Sequence, residues 1–140
     1  MSESDQFTHE LRVRYSECDA QGIVFNARWF EYFDVAMTEF WREVIGGYSH
    51  LPEALGIETV VAETGARFRG AGRFDDLLTF VIHVRRIGKS SMRIEIDALR
   101  EEAVLCEGFI EYVFVDPREL RPVEIPERLI ELLPAATASS

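Results

Sequence analysis

One stretch of helical periodicity stands in a chain that otherwise alternates. From Ala27 onward, Trp29, Phe33, Ala36, Met37, Phe40 and Val44 recur at spacings of three and four, and Phe30 and Trp41 widen the stripe. Arg28, Glu31, Asp34, Glu39, Arg42 and Glu43 take the other face. A stripe of that width belongs to a long amphipathic helix, which must lay its apolar side on something flat. Asn26 is placed to cap the start, and Gly46-Gly47 to stop the end. Glu31 and Asp34 fall early, where the helix dipole favours negative charge.

The flat partner comes from period-two runs. Residues 9–16 set Leu11, Val13 and Tyr15 against Arg12 and Arg14, which predicts a half-buried strand. A polar turn closed by Gly22 follows, then the apolar run Ile23, Val24 and Phe25. After a loop over 48–56 with room for one helical turn, four runs read as strands: 57–69, 77–86, 92–100 and 103–115. Leu78, Phe80, Ile82 and Val84 share one side of the second; Met92, Ile94, Ile96 and Ala98 share one side of the third. Gly88-Lys89-Ser90 marks the tight turn between them, and 126–133 reads as a short terminal helix opened by Pro126.

No linker, repeat or low-complexity segment interrupts the chain, which predicts a single domain over 1–140 with an ordered core from 7 to 133 between frayed polar ends. The expected class is α+β with an antiparallel sheet. One helix covers only part of a sheet of five or more strands, so self-association as a homo-oligomer is expected.

Charge and cysteine usage narrow the function. Lys plus Arg number 15 against 25 Asp plus Glu, a net charge of -10 that repels polyanions and argues against nucleic-acid binding. Lys89 is the sole lysine; the other cations are Arg, which favour bidentate contacts to phosphate and carboxylate. Cys18 and Cys106 match no disulfide framework or metal spacing, and Glu17-Cys18-Asp19 has no partner run for a metal. No apolar run is long enough for a bilayer and MSESDQ carries no signal pattern, so a cytoplasmic protein without a membrane span is expected.

The chemistry concentrates in YSECDAQGIVFNARWFEYFDVA. Asp19 lies in a glycine-containing turn seven residues before Asn26, where the helix begins. The first helical amides, around Ala27 to Trp29, lack intrahelical acceptors. A carboxylate beside such amides can do acyl chemistry: the amides polarise a carbonyl and the carboxylate attacks it or activates water. The plainer reading of Asp19 is a turn residue bonded to nearby backbone, and on spacing alone that reading wins. Cys18 as a nucleophile lacks a neighbouring histidine. Around Gly88, Arg85, Arg86, Lys89, Ser90 and Ser91 offer cations, hydroxyls and approachable backbone to a phosphate; a solvated turn is the equal alternative.

The segment Asp19-Ala20-Gln21-Gly22-Ile23-Val24-Phe25, followed by Tyr32, Asp34, Ala36, Glu39 and Phe40, resembles the signature of the 4-hydroxybenzoyl-CoA thioesterase family, which includes the YbgC-like acyl-CoA thioesterases. Arg73-Phe74-Asp75-Asp76-Leu77 and the Phe114-to-Pro126 stretch add to the likeness, which spans roughly 7–133. The resemblance implies a hot-dog fold, a curved antiparallel sheet wrapped around one long central helix, paired into a homodimer or homotetramer. It implies hydrolysis of an acyl-CoA with no metal or organic cofactor. Asp19 becomes the catalytic nucleophile or general base, and Asn26 the residue whose amide polarises the carbonyl. Gly22 of the motif and Arg86, Lys89, Ser90 and Ser91 of the hairpin become the substrate-binding candidates. Trp29 or Phe30 would line the acyl pocket, and Glu63 and Thr64 would reach it from a neighbouring subunit. Two positions depart from the pattern: relatives carry His or Tyr where Asn26 stands, and Pro-Ala where Gly70-Ala71-Gly72 runs. The alternatives on the same fold are an enoyl-acyl hydratase or dehydratase, against which counts the lack of histidine from Asp19 to Gly47, and a non-catalytic acyl-ligand binder.

Overall fold

The structure is a computed structural model and describes residues 6–136. The expectation of frayed ends falls largely on 1–5 and 137–140, outside the described residues. In chain order the elements are β1 (Phe7–Arg12), α1 (Arg28–Ile45), β2 (Glu58–Phe68), β3 (Leu77–Ile87), β4 (Ser91–Arg100), β5 (Ala103–Val115) and α2 (Glu127–Leu132). Single helical turns sit at Tyr15–Glu17 and Leu51–Leu55. The strands form one antiparallel sheet in the order β1-β3-β4-β5-β2. The curved sheet with α1 packed on its inner face is the α+β hot-dog arrangement.

The two periodicities meet in one core. Leu78, Phe80, Ile82 and Val84 of β3 and Met92, Ile94, Ile96 and Ala98 of β4 are all buried, as are Ile110, Tyr112 and Phe114 of β5. Against them α1 buries Trp29, Tyr32, Phe33, Ala36, Met37, Phe40 and Trp41. Each large side chain so buried stabilises the fold by about 1.5–3 kcal/mol. Gly108 of β5 lets the helix come close: a Cβ there would clash with the Phe33 ring. The helix ends where expected, at Gly46, whose φ of 87° is the left-handed conformation that glycine adopts without strain.

Two local expectations are corrected. The strand predicted over 9–16 stops at Arg12. Val13 still trades backbone bonds with Asp75 and Asp76, but Arg14 gives its amide to the Glu17 carboxylate, and the chain turns there instead of continuing the ladder. Tyr15, expected inside, is therefore 79% exposed and meets Phe74 edge-on. The helix cap is Ala27, not Asn26, with no side-chain cap bond. The Arg28, Trp29 and Phe30 amides are taken by the carbonyls of Phe25, Asn26 and Ala27, a tight first turn that needs no capping side chain.

Candidate active site

The chain between β1 and α1 is folded back on itself. Cys18 bridges Val24, the Asp19 amide donates to the Ile23 carbonyl at 2.9 Å, and the Gly22 amide returns to the Asp19 carbonyl at 2.9 Å. Gly22 closes this hairpin at a φ of 78°, and nothing crowds it. A second set of bonds ties the hairpin to the approach to β3: Ile23 bridges Arg73, and the Val24 amide donates to the Gly72 carbonyl at 2.7 Å. Gly72 is buried under Val24 and Trp29, whose atoms would stand 3.0 and 3.3 Å from a Cβ. Asp76 anchors that approach, accepting the Arg73 amide and an Arg100 guanidinium N–H at 2.8 Å each. Burial pushes the Asp76 carboxyl up, but these donors outweigh it and hold its pKa below the usual range.

At the tip Asp19 is half-buried. Its Oδ1 accepts the Gln21 amide at 2.8 Å, the turn role that spacing favoured, and its Oδ2 takes no hydrogen bond among the described residues. The open amides at the helix start are also displaced from the expected place. Those of Arg28 and Trp29 are used within the first turn, whereas those of Asn26 and Ala27, both exposed, donate no hydrogen bond among the described residues. Asn26 lies three residues beyond Ile23, the partner of Asp19, so no more than about 11 Å of backbone separates the two levels. Cys18 is no rival nucleophile: burial and the charges of Asp19 and Glu17 push its thiol pKa up, away from thiolate. Cys106 is buried beneath the sheet and pushed up to about 12.

Beside the first turns of α1 runs a groove of about 290 Å³, walled by Phe30, Phe33, Val61, Ile110 and Tyr112, with Thr64, Glu31 and Asp34 completing it. Phe30 thus lines a pocket, whereas Trp29 is core. Thr64 reaches the groove with its hydroxyl committed to the Phe109 carbonyl at 2.8 Å; Glu63 does not line it.

The proposed substrate hairpin is elsewhere. Ile23 bridges Arg73, before β3 begins, while Lys89 and Ser90 follow its end; the 11 residues of β3 span about 35 Å. One protomer therefore does not bring Arg86, Lys89, Ser90 or Ser91 to Asp19. Nor is Arg86 a free cation, because it pairs with Glu111 and donates to the Ser91 hydroxyl at 3.1 Å. Lys89 is exposed, and its carbonyl accepts the Ile125 amide of the C-terminal segment, while the Ser90 carbonyl accepts the Phe114 amide of β5.

Sequence reading missed a charge network. Glu17 is buried, and its carboxylate accepts the Arg14 amide at 2.8 Å, two Arg14 guanidinium bonds at 3.0 and 2.7 Å, and the Tyr32 hydroxyl at 2.8 Å. Arg14 and Glu17 are three residues apart in sequence, a visible signal; Tyr32 is fifteen away and has none. Burial drives the Glu17 pKa up, but the four donors win and hold it below the usual carboxylate value. A depressed folded pKa means that the linked stability is complete above the ordinary pKa and lost as pH falls through the folded one. Wild-type melting temperature should then fall as the pH drops below the ordinary carboxylate range. Glu17→Gln should melt lower at neutral pH, by about 1–3 kcal/mol of stability, with a flatter acid limb. Parallel acid limbs in thermal melts of the two proteins would refute this.

Comparison with known proteins gives the arrangement a family. The sequence pattern of the thioesterase superfamily matches residues 21–107, from just after Asp19 into β5. The chain belongs to the thioesterase superfamily. An acyl-CoA thioesterase YbgC of Haemophilus influenzae is 27% identical over 123 residues, covering 88% of this chain and 90% of the relative. A putative esterase of Aquifex aeolicus is 24% identical over 127 residues, covering 91% of this chain and 97% of its own. In structure, a thioesterase-superfamily protein of Jannaschia superposes with a TM-score of 0.88 at 21% identity, over 98% of this chain and 96% of its own. That likeness speaks for the fold.

Proposed function

We propose that this thioesterase-superfamily protein hydrolyses acyl-CoA thioesters. The observation that carries the reading is an Asp19 carboxylate with one oxygen unengaged among the described residues, in a bonded hairpin whose return from Ile23 leads within three or four residues to the open amides of Asn26 and Ala27. The carbonyl oxygen of the thioester accepts from the Asn26 amide, which stabilises the oxyanion as charge develops. Asp19 then acts by one of two balanced routes. As nucleophile it forms a mixed anhydride and expels the CoA thiolate, and water cleaves the anhydride. As base it takes a proton from water as that water attacks, and the thiolate leaves. Both routes consume one water and give a carboxylic acid and a thiol, with no group needed beyond chain and substrate. Asn26 acts through its main chain, so the absence of His or Tyr there leaves the anchor intact.

The acyl group is assigned to the groove walled by Phe30, Phe33, Val61 and Tyr112. Binding of the CoA phosphates by Lys89, Ser90 and Ser91 requires a second copy of the chain, since β3 separates them from Asp19 in one protomer. The open edge of β2, with Val61 exposed beside the groove, offers the place for that copy, as dimer or tetramer. The name of the Haemophilus influenzae relative supports the substrate class.

Release of free thiol from acetyl-, hexanoyl-, decanoyl- and benzoyl-CoA tests the reading. Turnover above the buffer rate on at least one of them is expected; no thiol from any of the four would overturn the assignment.

A further inference from the structure

We propose that Glu17 is a positioning residue that, through Arg14 and Tyr32, fixes the Asp19 hairpin against the start of α1; the inference rests on the thioesterase reading above. Among the described residues Glu17 is the one buried charged side chain, at 7% exposure. Burying a carboxylate is unfavourable unless its lone pairs are used, and an apolar side chain of that size would pack at lower cost. Here both oxygens are used twice. Oε1 accepts the Arg14 amide and the Tyr32 hydroxyl; Oε2 accepts Nε and Nη2 of Arg14.

What these bonds join matters more than their number. Tyr32 is on the second turn of α1, and its ring is held edge-on by Trp29 at 5.6 Å and Phe80 at 5.8 Å, so its hydroxyl is a fixed point on the helix. The Glu17 carbonyl accepts the Phe25 amide at 3.1 Å, next to Asn26. Cys18, the next residue, bridges Val24, and Asp19 follows. One residue thus joins three segments: its carboxylate bonds Arg14 ahead of Asp19 and Tyr32 on the helix, and its main-chain carbonyl bonds the segment that leads to Asn26. Arg14 supplies the counter-charge from outside, with its side chain 77% exposed. Without the Glu17 carboxylate the hairpin keeps its backbone bonds but loses this side-chain link to Tyr32 of α1, so Asp19 and the Asn26 amide drift relative to each other. A displacement of about 1 Å between reacting groups costs on the order of 100-fold in rate.

The test measures kcat and KM on the best acyl-CoA for Glu17→Gln and Tyr32→Phe, each in the wild-type and the Asp19→Asn background, well below the melting temperature of every variant. Positioning predicts a fall in kcat on the order of 100-fold for Glu17→Gln and about tenfold for Tyr32→Phe, with KM nearly unchanged. It further predicts no additional loss in the Asp19→Asn background, because the network acts through Asp19. A purely structural role lowers both backgrounds alike. Wild-type kcat in both variants, or a loss that recurs undiminished beside Asp19→Asn, overturns the proposal. Should Glu17→Gln fail to fold, Tyr32→Phe, which deletes one oxygen and keeps the ring, decides alone. A wild type that turns over while Asp19→Asn does not leaves the thioesterase reading standing whichever way Glu17 falls; a wild type inert to every acyl-CoA defeats both.

Discussion

Asp19→Asn is expected to lower kcat for acyl-CoA hydrolysis by about 10²–10⁴-fold, the range for loss of a positioned general base, while the protein folds as before. Asparagine keeps an oxygen for the Gln21 amide, so the hairpin bond at 2.8 Å survives, and so do the backbone bonds from Asp19 to Ile23 and Gly22. Only the negative charge and the unengaged oxygen are lost. The experiment therefore separates the two roles of this residue. If Asp19 serves the turn alone, the variant hydrolyses acyl-CoA at the wild-type rate and melts at the wild-type temperature. If it also serves the chemistry, melting is unchanged and thiol release nearly stops. Near-normal release would remove Asp19 from the mechanism.

Phe33→Ala should cost about 3–5 kcal/mol of stability, because the ring is buried between α1 and β5 and nothing else fills its place. At about 4 °C per kcal/mol, that is a fall in melting temperature of about 12–20 °C. Gly108→Ala should cost about 1–3 kcal/mol for the converse reason. Its methyl would clash with two ring carbons of Phe33, whose ring is packed edge-on against Phe30 and Phe80 and would have to shift. The two changes are coupled. In the Phe33→Ala background the Gly108→Ala methyl enters an empty space, and its penalty should vanish or change sign. Denaturant melts of the four proteins measure this; an equal penalty for Gly108→Ala with and without the ring would show that Phe33 does not set the height of the helix above the sheet.

Periodicity made most of the fold legible. A stripe at three-and-four spacing or an alternation reports which face leaves water, and so the buried residues of α1, β3 and β4 were readable without coordinates. Tyr15 shows where that reading stops. Its alternation continues that of Leu11 and Val13, yet the ladder has ended, because the Glu17 carboxylate captures the Arg14 amide. Asn26 fails as a side-chain cap for a similar reason: carbonyls of the preceding turn satisfy the first amides. At the site, the turn-forming pattern around Asp19 and Gly22 was visible, as was the helix start that follows it.

The elements, their inward faces and the short connection from a carboxylate to a helix start can be read from local sequence, because they depend on residues close in the chain. Which amides stay open, the burial of Glu17 against Tyr32, and the separation of Arg86 to Ser91 from Asp19 by a strand's length arise only on folding. Those outcomes depend on how the curved sheet brings distant segments together, and on competition among several donors for each acceptor, which no local spacing encodes.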